Sequence, residues 1–211
     1  MRSPIRLFQL LIISTIVIIP LLPGCKKDAA QKFTCPSTID YGGIEYPAIK
    51  IGEQCWLGKN LNYEAEKSYC YNGDPLNCET YGRLYQWETA LVVCPPGWHL
   101  PSNDEWTQLI NFLGGDSIAG GSLKEEGTTH WKSPNTGATN ASGFAILPGG
   151  WRGQEGSYRD LTYRTGIWTS TEGLSPGRPW HAVLDYNAPA IHRGYSSIYK
   201  TNALSVRCIQ D

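Results

Sequence analysis

Aromatic and charged side chains alternate closely in residues 149–187, and their chemistry suits recognition of a polar ligand. Tryptophan and tyrosine combine a flat apolar face with one hydrogen-bonding group, so they are favoured at hydrated interfaces. Such rings can stack on sugar faces while arginine, aspartate and asparagine bond the hydroxyls. The candidate binding residues are Trp151, Arg152, Tyr158, Arg159, Asp160, Trp180, Asp185 and Asn187. The same segments also carry Tyr163, Arg164, Trp168, His181 and Tyr186.

Two alternatives stay open for these residues. They could hold a protein partner instead of a glycan. The rings could also simply pack loops that are poor in aliphatic side chains, an interpretation that suits Trp168 best and Trp151 and Tyr158 least.

Catalysis is the least favoured interpretation of the charged residues. Carboxylate pairs of the kind that glycosidases use could be assembled from Glu125, Glu126, Glu155, Asp160, Glu172 and Asp185. Any domain of this size offers as many carboxylates, and their ordinary use is solvated surface charge. A cysteine nucleophile needs a thiolate beside a base, which oxidised cysteines do not supply. We therefore expect no catalytic residues.

The cysteines and histidines form no metal-binding pattern. No pair of cysteines has CxxC spacing, and the four histidines lie far apart. Zinc sites usually draw their ligands from such closely spaced pairs. We expect neither a zinc site nor a cofactor.

The stretch CPPGWHLPSNDEW, residues 94–106, is rich in cysteine, proline, tryptophan and histidine, and each of these residues has a structural use. Gly97 permits a turn, and Pro101 keeps the residue before it out of the helical region. Ser102 and Glu105 form an S-x-x-E capping box at a helix start. We therefore predict a structural corner in which His99 is hydrogen-bonded, not an active site.

The first 24 residues have the layout of an export signal. Arg2 and Arg6 precede an apolar run from Leu7 to Leu22, and a glycine stands directly before Cys25. This arrangement resembles a bacterial lipobox, whose cysteine is lipidated and becomes the first residue of the mature chain; a plain transmembrane anchor is the alternative. Because two or three acyl chains give stable anchoring, we expect a signal peptide at 1–24, a lipidated tether at 25–39 and an outer-membrane lipoprotein at the cell surface.

The charge of the mature chain argues against a nucleic-acid partner. Without Arg2 and Arg6 the chain carries 16 basic and 19 acidic residues. No basic stripe of the kind that reads phosphates is present. The expected partners are the membrane, through the lipid, and a glycan or surface protein.

Apart from Cys25, six cysteines remain, an even number that indicates a disulfide framework in an exported chain. Six cysteines allow fifteen pairings, and the sequence does not choose among them. The pairing we favour is Cys35–Cys55, Cys70–Cys78 and Cys94–Cys208.

The pattern of apolar residues predicts one α+β domain. Helices are expected at 80–91 and 102–114, the second with Trp106, Leu109, Ile110 and Leu113 on one face. A hairpin is expected at 44–61, and residues 114–142 should wrap the core as loops anchored by an aromatic such as Trp131. Short antiparallel strands are predicted at 143–147, 166–172, 180–186, 190–195 and 203–210.

Several longer motifs resemble a known family. KIGEQCWLGKNL, YCYNGDPLNCETYGRLYQWETA, GWHLPSNDEW, WTSTE and SVRCIQD are similar to the Fibrobacter succinogenes major paralogous domain. The resemblance covers residues 40–211 and implies a surface lipoprotein of the kind found in Bacteroidetes and Fibrobacteres.

A more distant resemblance concerns the fold. The HLPSNDEW helix start, the late aromatic strands and the Arg-Cys near the end also occur in the formylglycine-generating-enzyme family. That resemblance implies a C-type-lectin-like fold, with two helices, a twisted antiparallel sheet, long loops and a long-range disulfide, here Cys94–Cys208. The reactive cysteine pair of those enzymes has no counterpart, so their activity is not implied.

The calcium-dependent sugar site of C-type lectins is also not matched. SPN at 133–135 lacks the preceding carboxylate, and no Trp-Asn-Asp motif occurs. A structural calcium ion stays open without motif support. We expect a surface-anchored binding module that recognises glycan or another cell-surface ligand. The alternatives are a structural or assembly component of a surface or fimbrial complex and, behind it, a polysaccharide-acting enzyme.

Overall fold

The computed structural model describes residues 34–195 and 197–211. The expected signal peptide and Cys25 lie outside these residues. Within the tether predicted at 25–39, Cys35 is bonded to Cys55 and the first strand begins at Thr38. Residues 34–39 therefore belong to the folded unit. None of the described helices is long and apolar enough to span a membrane.

The described residues form an α+β fold with three small antiparallel sheets. The strands are β1 (Thr38–Tyr41), β2 (Ile44–Ile51), β3 (Gln54–Leu57), β4 (Ser68–Tyr69), β5 (Leu84–Gln86), β6 (Trp98–His99), β7 (Trp151–Arg152), β8 (Tyr158–Arg159), β9 (Arg164–Glu172), β10 (Pro179–Asp185), β11 (Ile191–Gly194), β12 (Ala203–Leu204) and β13 (Ile209–Gln210). The helices are α1 (Pro75–Tyr81), α2 (Trp87–Ala90), α3 (Asn103–Phe112) and α4 (Asp116–Leu123). The predicted α+β class is confirmed.

The first sheet, in the order β1-β2-β3-β13-β6, joins both ends of the described chain. Its β2–β3 hairpin is the one predicted at 44–61. The last strand, β13, lies between β3 and β6, with Ile209 opposite both Trp56 and His99. The predicted strand at 203–210 is thus two short strands in different sheets.

The other two sheets have the orders β11-β10-β9 and β4-β5-β12-β7-β8. Along β10, Ala182 and Leu184 are fully buried while Val183 and Asp185 are half-buried. This alternation confirms the prediction of an antiparallel sheet with one wetter face. The strand predicted at 143–147 is wrong, since only Ile146 forms an isolated bridge there.

Helix α3 forms as predicted. The Ser102 hydroxyl accepts from the Glu105 amide, and the Glu105 carboxylate accepts from the Ser102 amide, which completes the capping box. Trp106 is fully buried at the helix start. After the helix, Gly114 has a φ of 97°, a left-handed conformation that glycine adopts without strain.

The continuous helix predicted at 80–91 is interrupted: α1 ends at Tyr81, β5 follows, and only Trp87–Ala90 forms the helix α2. Helix α1 starts at the Asp74 cap and is terminated by Gly82, whose φ is 78°. A Cβ at Gly82 would lie 2.7 Å from the Cβ of Asn60, so this close approach requires glycine. The chain then continues as β5, because Tyr85 and Gln86 pair with β12.

The segment 114–142 contains helix α4, which the sequence did not predict, followed by wrapping loops. Trp131 is buried as expected and donates to the carbonyl of Ile146 at 2.9 Å. The ammonium of Lys124, also fully buried, donates to the carbonyls of Thr136, Asp185 and Ala188. These three bonds tie the loops to the end of β10.

The stretch 94–106 is a structural corner. His99 Nδ1 lies 2.7 Å from a carboxylate oxygen of Asp211, and Nε2 lies 2.9 Å from one of Glu105. Ionised carboxylates only accept, so the protonated ring can donate from both nitrogens, and these bonds raise the pKa of His99 above its ordinary value. His99 thereby links the start of α3 to the last residue of the chain.

Three disulfides stabilise the fold, and they join the pairs expected from the sequence. They are Cys35–Cys55, Cys70–Cys78 and Cys94–Cys208. The third spans 114 residues and lies next to β13, so it closes the same junction as the first sheet.

Candidate functional site

Strands β7 and β8 form a short hairpin whose two faces carry different residues. Trp151 lies opposite Arg159, and Arg152 lies opposite Tyr158. Because successive residues of a strand point to opposite sides, Trp151 and Arg159 share one face and Arg152 and Tyr158 share the other. The glycine before the hairpin, Gly150, has a φ of 65°.

The indole of Trp151 is held from two sides. Its Nε1 donates to Oδ2 of Asp160 at 3.0 Å, and the Arg159 guanidinium carbon lies 5.2 Å from the ring centroid. Arg159 is itself paired with Glu155 at 2.6 Å. A cation over an aromatic face is attracted by the ring quadrupole, so the plane of the indole is fixed before any ligand arrives.

Arg164 links this hairpin to β10. Its Nη1 lies 3.7 Å from Oδ2 of Asp160, and its Nε donates to Oδ1 of Asp185 at 2.5 Å. The carbonyl of Asp185 accepts from the buried Lys124 at 3.0 Å. Asp185 is therefore anchored through both its backbone and its side chain.

Beside these groups lies a cavity of about 190 Å³, here called the Trp151 pocket. It lies between the hairpin and strands β9, β10 and β12. Its lining combines polar and apolar side chains, namely Trp151, Arg164, His181, Val183, Ile198 and Leu204.

His181 adds a buried imidazole to the pocket. Desolvation by burial lowers the pKa of His181 below its ordinary value, although a hydrogen bond to Pro179 opposes this. The ring is therefore neutral at neutral pH. Nδ1 lies 3.3 Å from the carbonyl of Pro179, and a carbonyl only accepts, so Nδ1 carries the proton. Nε2 is then free to accept a hydrogen bond.

Two of the predicted binding residues lie on the face of the hairpin opposite to Trp151. The Arg152 guanidinium stacks on Tyr69, with its carbon 4.1 Å from the ring centroid. Tyr158 packs against Tyr71, with ring centroids 5.1 Å apart. The rings of Tyr69, Tyr71 and Tyr158 belong to a small apolar cluster, so Arg152 and Tyr158 pack there and lie apart from Trp151.

Trp180 and Asn187 are also separate from the pocket. Trp180 alternates with His181 along β10 and lies on the opposite face, where it packs against Tyr195 at 4.9 Å. Asn187 is exposed in the turn after β10. The predicted set therefore does not form one platform, and four members stay together: Trp151, Arg159, Asp160 and Asp185.

The pocket also contains residues that were not selected from the sequence. Arg164 and His181 lie in the same aromatic segments as the selected residues. Composition therefore marks their segments but does not distinguish these two residues from their neighbours. Ile198 and Leu204 come from a later part of the chain, and no local signal marks them.

The described residues contain no cluster of three or more histidine, cysteine, aspartate or glutamate side chains that could hold a metal ion. The donor set of the Trp151 pocket is instead one indole, one imidazole, one guanidinium and two nearby carboxylates. Such a set can stack on an apolar ring face and exchange hydrogen bonds with hydroxyl groups.

One comparison with known proteins gave a match. The family model described as the Fibrobacter succinogenes major domain matches residues 49–210, which include every strand from β3 onward and all four helices. No curated protein and no solved structure matched the chain.

Proposed function

The chain belongs to the Fibrobacter succinogenes major domain family, and on that premise we propose that it is a surface-anchored lipoprotein module that binds glycan. The observation that carries the proposal is the indole of Trp151, held by Asp160 and Arg159, at the edge of a pocket lined by both polar and apolar groups. An aromatic plane beside directional hydrogen-bonding groups is the arrangement that a sugar ring requires.

In the proposed binding mode, the sugar makes one stacking contact and several hydrogen bonds, each with a different side chain. The apolar face of a sugar ring stacks on Trp151. Hydroxyl groups then bond Arg164, the carboxylate of Asp185 and Nε2 of His181. With about 190 Å³ the pocket is smaller than typical ligand sites, so it takes one edge of a single sugar residue while the rest of the glycan stays in solvent.

The proposed location rests on the leader sequence. Cys25 in its lipobox-like context would carry the acyl chains, and residues 26–33 would separate the membrane from the folded unit. An outer-membrane lipoprotein exposed at the cell surface presents its pocket to glycans outside the cell. The acyl chains supply the membrane affinity.

We also propose that the fold is C-type-lectin-like. The pairing of β13 with β3, the Cys94–Cys208 disulfide and the loops between α4 and β7 support this assignment. It concerns the scaffold alone, since fold does not dictate function.

A protein partner in a surface or fimbrial complex is the second candidate function. It is favoured by Phe112 and Ile118, which are 64% and 54% exposed near the turn between α3 and α4. Exposed apolar patches often mark interaction surfaces. A polysaccharide-acting enzyme is supported less, because Asp160 and Asp185 both engage Arg164 and an acid–base pair needs one carboxyl group that donates a proton.

A glycan array probed with the full chain, purified with its disulfides intact, tests the proposal. Binding to a defined set of glycans that the free monosaccharide inhibits would support it. Absence of any glycan ligand, together with a specific protein captured by cross-linking on intact cells, would favour the second candidate.

A further inference from the structure

A second cavity of about 160 Å³ lies between the β2–β3 hairpin, helix α1 and residues 145–147. It shares no lining residue with the Trp151 pocket. Its buried wall includes Tyr46, Asn60 and Arg207, while Lys59, Glu79 and Thr80 are exposed at its mouth. We call it the Arg207 cavity.

Arg207 is the unusual member of this wall, because its side chain is a cation that is 1% exposed. Nε donates to Oδ1 of Asn60 at 2.8 Å, and Nη1 donates to the carbonyls of Leu57 and Phe144 at 3.0 and 2.9 Å. Among the described residues, no carboxylate forms an ion pair with this guanidinium. Within the same residues, no group of any kind accepts a hydrogen bond from Nη2.

Lys124, the other buried cation described above, shows that Arg207 lacks acceptors for some of its N–H donors. Lys124 is equally buried, but its three N–H groups meet three carbonyls, so every donor is used. Arg207 has five N–H donors but only three acceptors, and its guanidinium carbon also lies 4.6 Å from the centroid of the Phe144 ring. Desolvation by burial lowers the pKa of Arg207 from its ordinary value to about 9. A buried charge is costly unless it is paired with an opposite charge.

The cavity next to Arg207 has room for that opposite charge. Because Nε and Nη1 are engaged with protein groups, Nη2 is the nitrogen available to a ligand. A cavity near 150 Å³ accommodates a molecule about the size of benzene, that is, roughly six non-hydrogen atoms. This site differs from the Trp151 pocket because its wall contains a fully buried cation.

We infer that the Arg207 cavity is a binding site for a small carboxylate anion, whose carboxylate accepts hydrogen bonds from the Arg207 guanidinium. Tyr46, Ile44 and Leu147 contact the apolar remainder of the ligand. The ligand reaches the guanidinium past Thr80.

The test compares propionate with propionamide, which has nearly the same shape but no charge. Each is titrated into the full chain at matched ionic strength, with binding followed by nuclear magnetic resonance shifts. Because a charge-assisted hydrogen bond is stronger than a neutral one, propionate should saturate in roughly the millimolar range and bind at least about tenfold more tightly than propionamide. Equal affinities, or no saturable propionate binding, would overturn the inference.

Two variants locate the binding. Arg207→Gln should abolish the preference for propionate, but it also removes buried hydrogen bonds and can impair folding. Thr80→Trp therefore serves as the second variant, since it fills the mouth from an exposed helical position. Leu76→Trp is its control, on the same helix but outside the cavity lining. Loss of binding in Thr80→Trp and its retention in Leu76→Trp support the site; binding unchanged in Thr80→Trp refutes it.

Discussion

The Nε1 of Trp151 and the Oδ2 of Asp160 are joined by a hydrogen bond of 3.0 Å across the end of a two-stranded hairpin. Asp160 occupies the left-handed backbone region at a φ of 62°. Aspartate and asparagine tolerate this region better than most residues. The same carboxylate faces Arg164, so one residue orients the indole and connects it to β10.

Substitution of Asp160 should lower ligand affinity only where the new side chain cannot accept the hydrogen bond from Nε1 of Trp151. Asp160→Asn keeps an oxygen for the indole and suits the left-handed backbone, so it should retain most glycan binding. Asp160→Ala removes the acceptor and should weaken binding about three- to tenfold, the effect of losing roughly one net hydrogen bond. Titration calorimetry with an array-positive glycan measures both. Wild-type affinity in Asp160→Ala would show that the indole needs no such support.

Lys124 should make stability depend on pH in the alkaline range. Desolvation by burial lowers its pKa from 10.5 to about 8, with Asp185 opposing the shift. Between these values the unfolded chain binds more protons than the folded chain, so this group's contribution to the free energy of unfolding rises with pH. Relative to Lys124→Met, the wild type should gain about 1 kcal/mol between pH 8 and pH 9.

Urea unfolding of both proteins at pH 7, 8 and 9 checks this. Lys124→Met should be less stable throughout, by about 3 kcal/mol at neutral pH, because three buried carbonyls lose their donor. A stability difference that stays constant or shrinks from pH 8 to pH 9 would contradict the expected titration.

The contribution of His99 to the free energy of unfolding should fall with rising pH, near neutrality, whereas that of Lys124 rises. Desolvation lowers its pKa, but hydrogen bonds and charges from Asp211 and Glu105 outweigh this, so the pKa is raised from 6.5. The stabilisation is fully present below pH 6.5 and is lost as pH rises through the folded-state pKa. Because the ring is 40% exposed, the effect should stay below about 1 kcal/mol.

The matching measurement is the difference in unfolding free energy between wild type and His99→Gln at pH 6 and pH 8. His181 is present in both proteins, so its own titration cancels. We expect the wild-type advantage to be larger at pH 6. An advantage that is larger at pH 8 would mean that the ring is not held as an imidazolium.

The three disulfides should stabilise the fold unequally. Cys94–Cys208 closes a loop with a sequence separation of 114, and Cys70–Cys78 closes one of 8. Loop-closure entropy predicts losses of about 5 kcal/mol for Cys94→Ala with Cys208→Ala, and about 2.5 kcal/mol for Cys70→Ala with Cys78→Ala. Chemical denaturation of the two double variants gives the comparison. The reverse order would mean that native-state contacts, not chain entropy, dominate.

The fold could be predicted from the sequence where local signals decide the structure. Helix α3 was predicted because its capping box and apolar spacing act within a few residues. The helix predicted at 80–91 is interrupted because Gly82 and the pairing of β5 with β12 override its local period between α1 and α2. Helix α4 was missed because glycine is a poor helix former. Gly120 and Gly121 are needed there, since a Cβ would collide with the carbonyls of Ala190 and Gly137.

The segments that form the candidate site could be predicted from the sequence, but the positions of their side chains relative to one another could not. Composition identifies the aromatic segments, and two of the residues selected from them, Trp151 and Asp160, are hydrogen-bonded to each other. Which face each residue occupies depends on strand register, which distant partners set. For this reason Tyr158 and Trp180 lie away from the pocket, and Leu204 could not be found from its own neighbourhood.

The most direct test of the glycan-binding proposal is the affinity of Trp151→Ala beside that of Trp180→Ala, measured by calorimetry with the same array-positive glycan. Both variants remove one half-buried indole, but only Trp151 lines the pocket. We predict at least about a tenfold loss for Trp151→Ala, as expected for a central aromatic contact, and wild-type affinity for Trp180→Ala. Equal affinities in both variants, or a loss confined to Trp180→Ala, would contradict the proposed site.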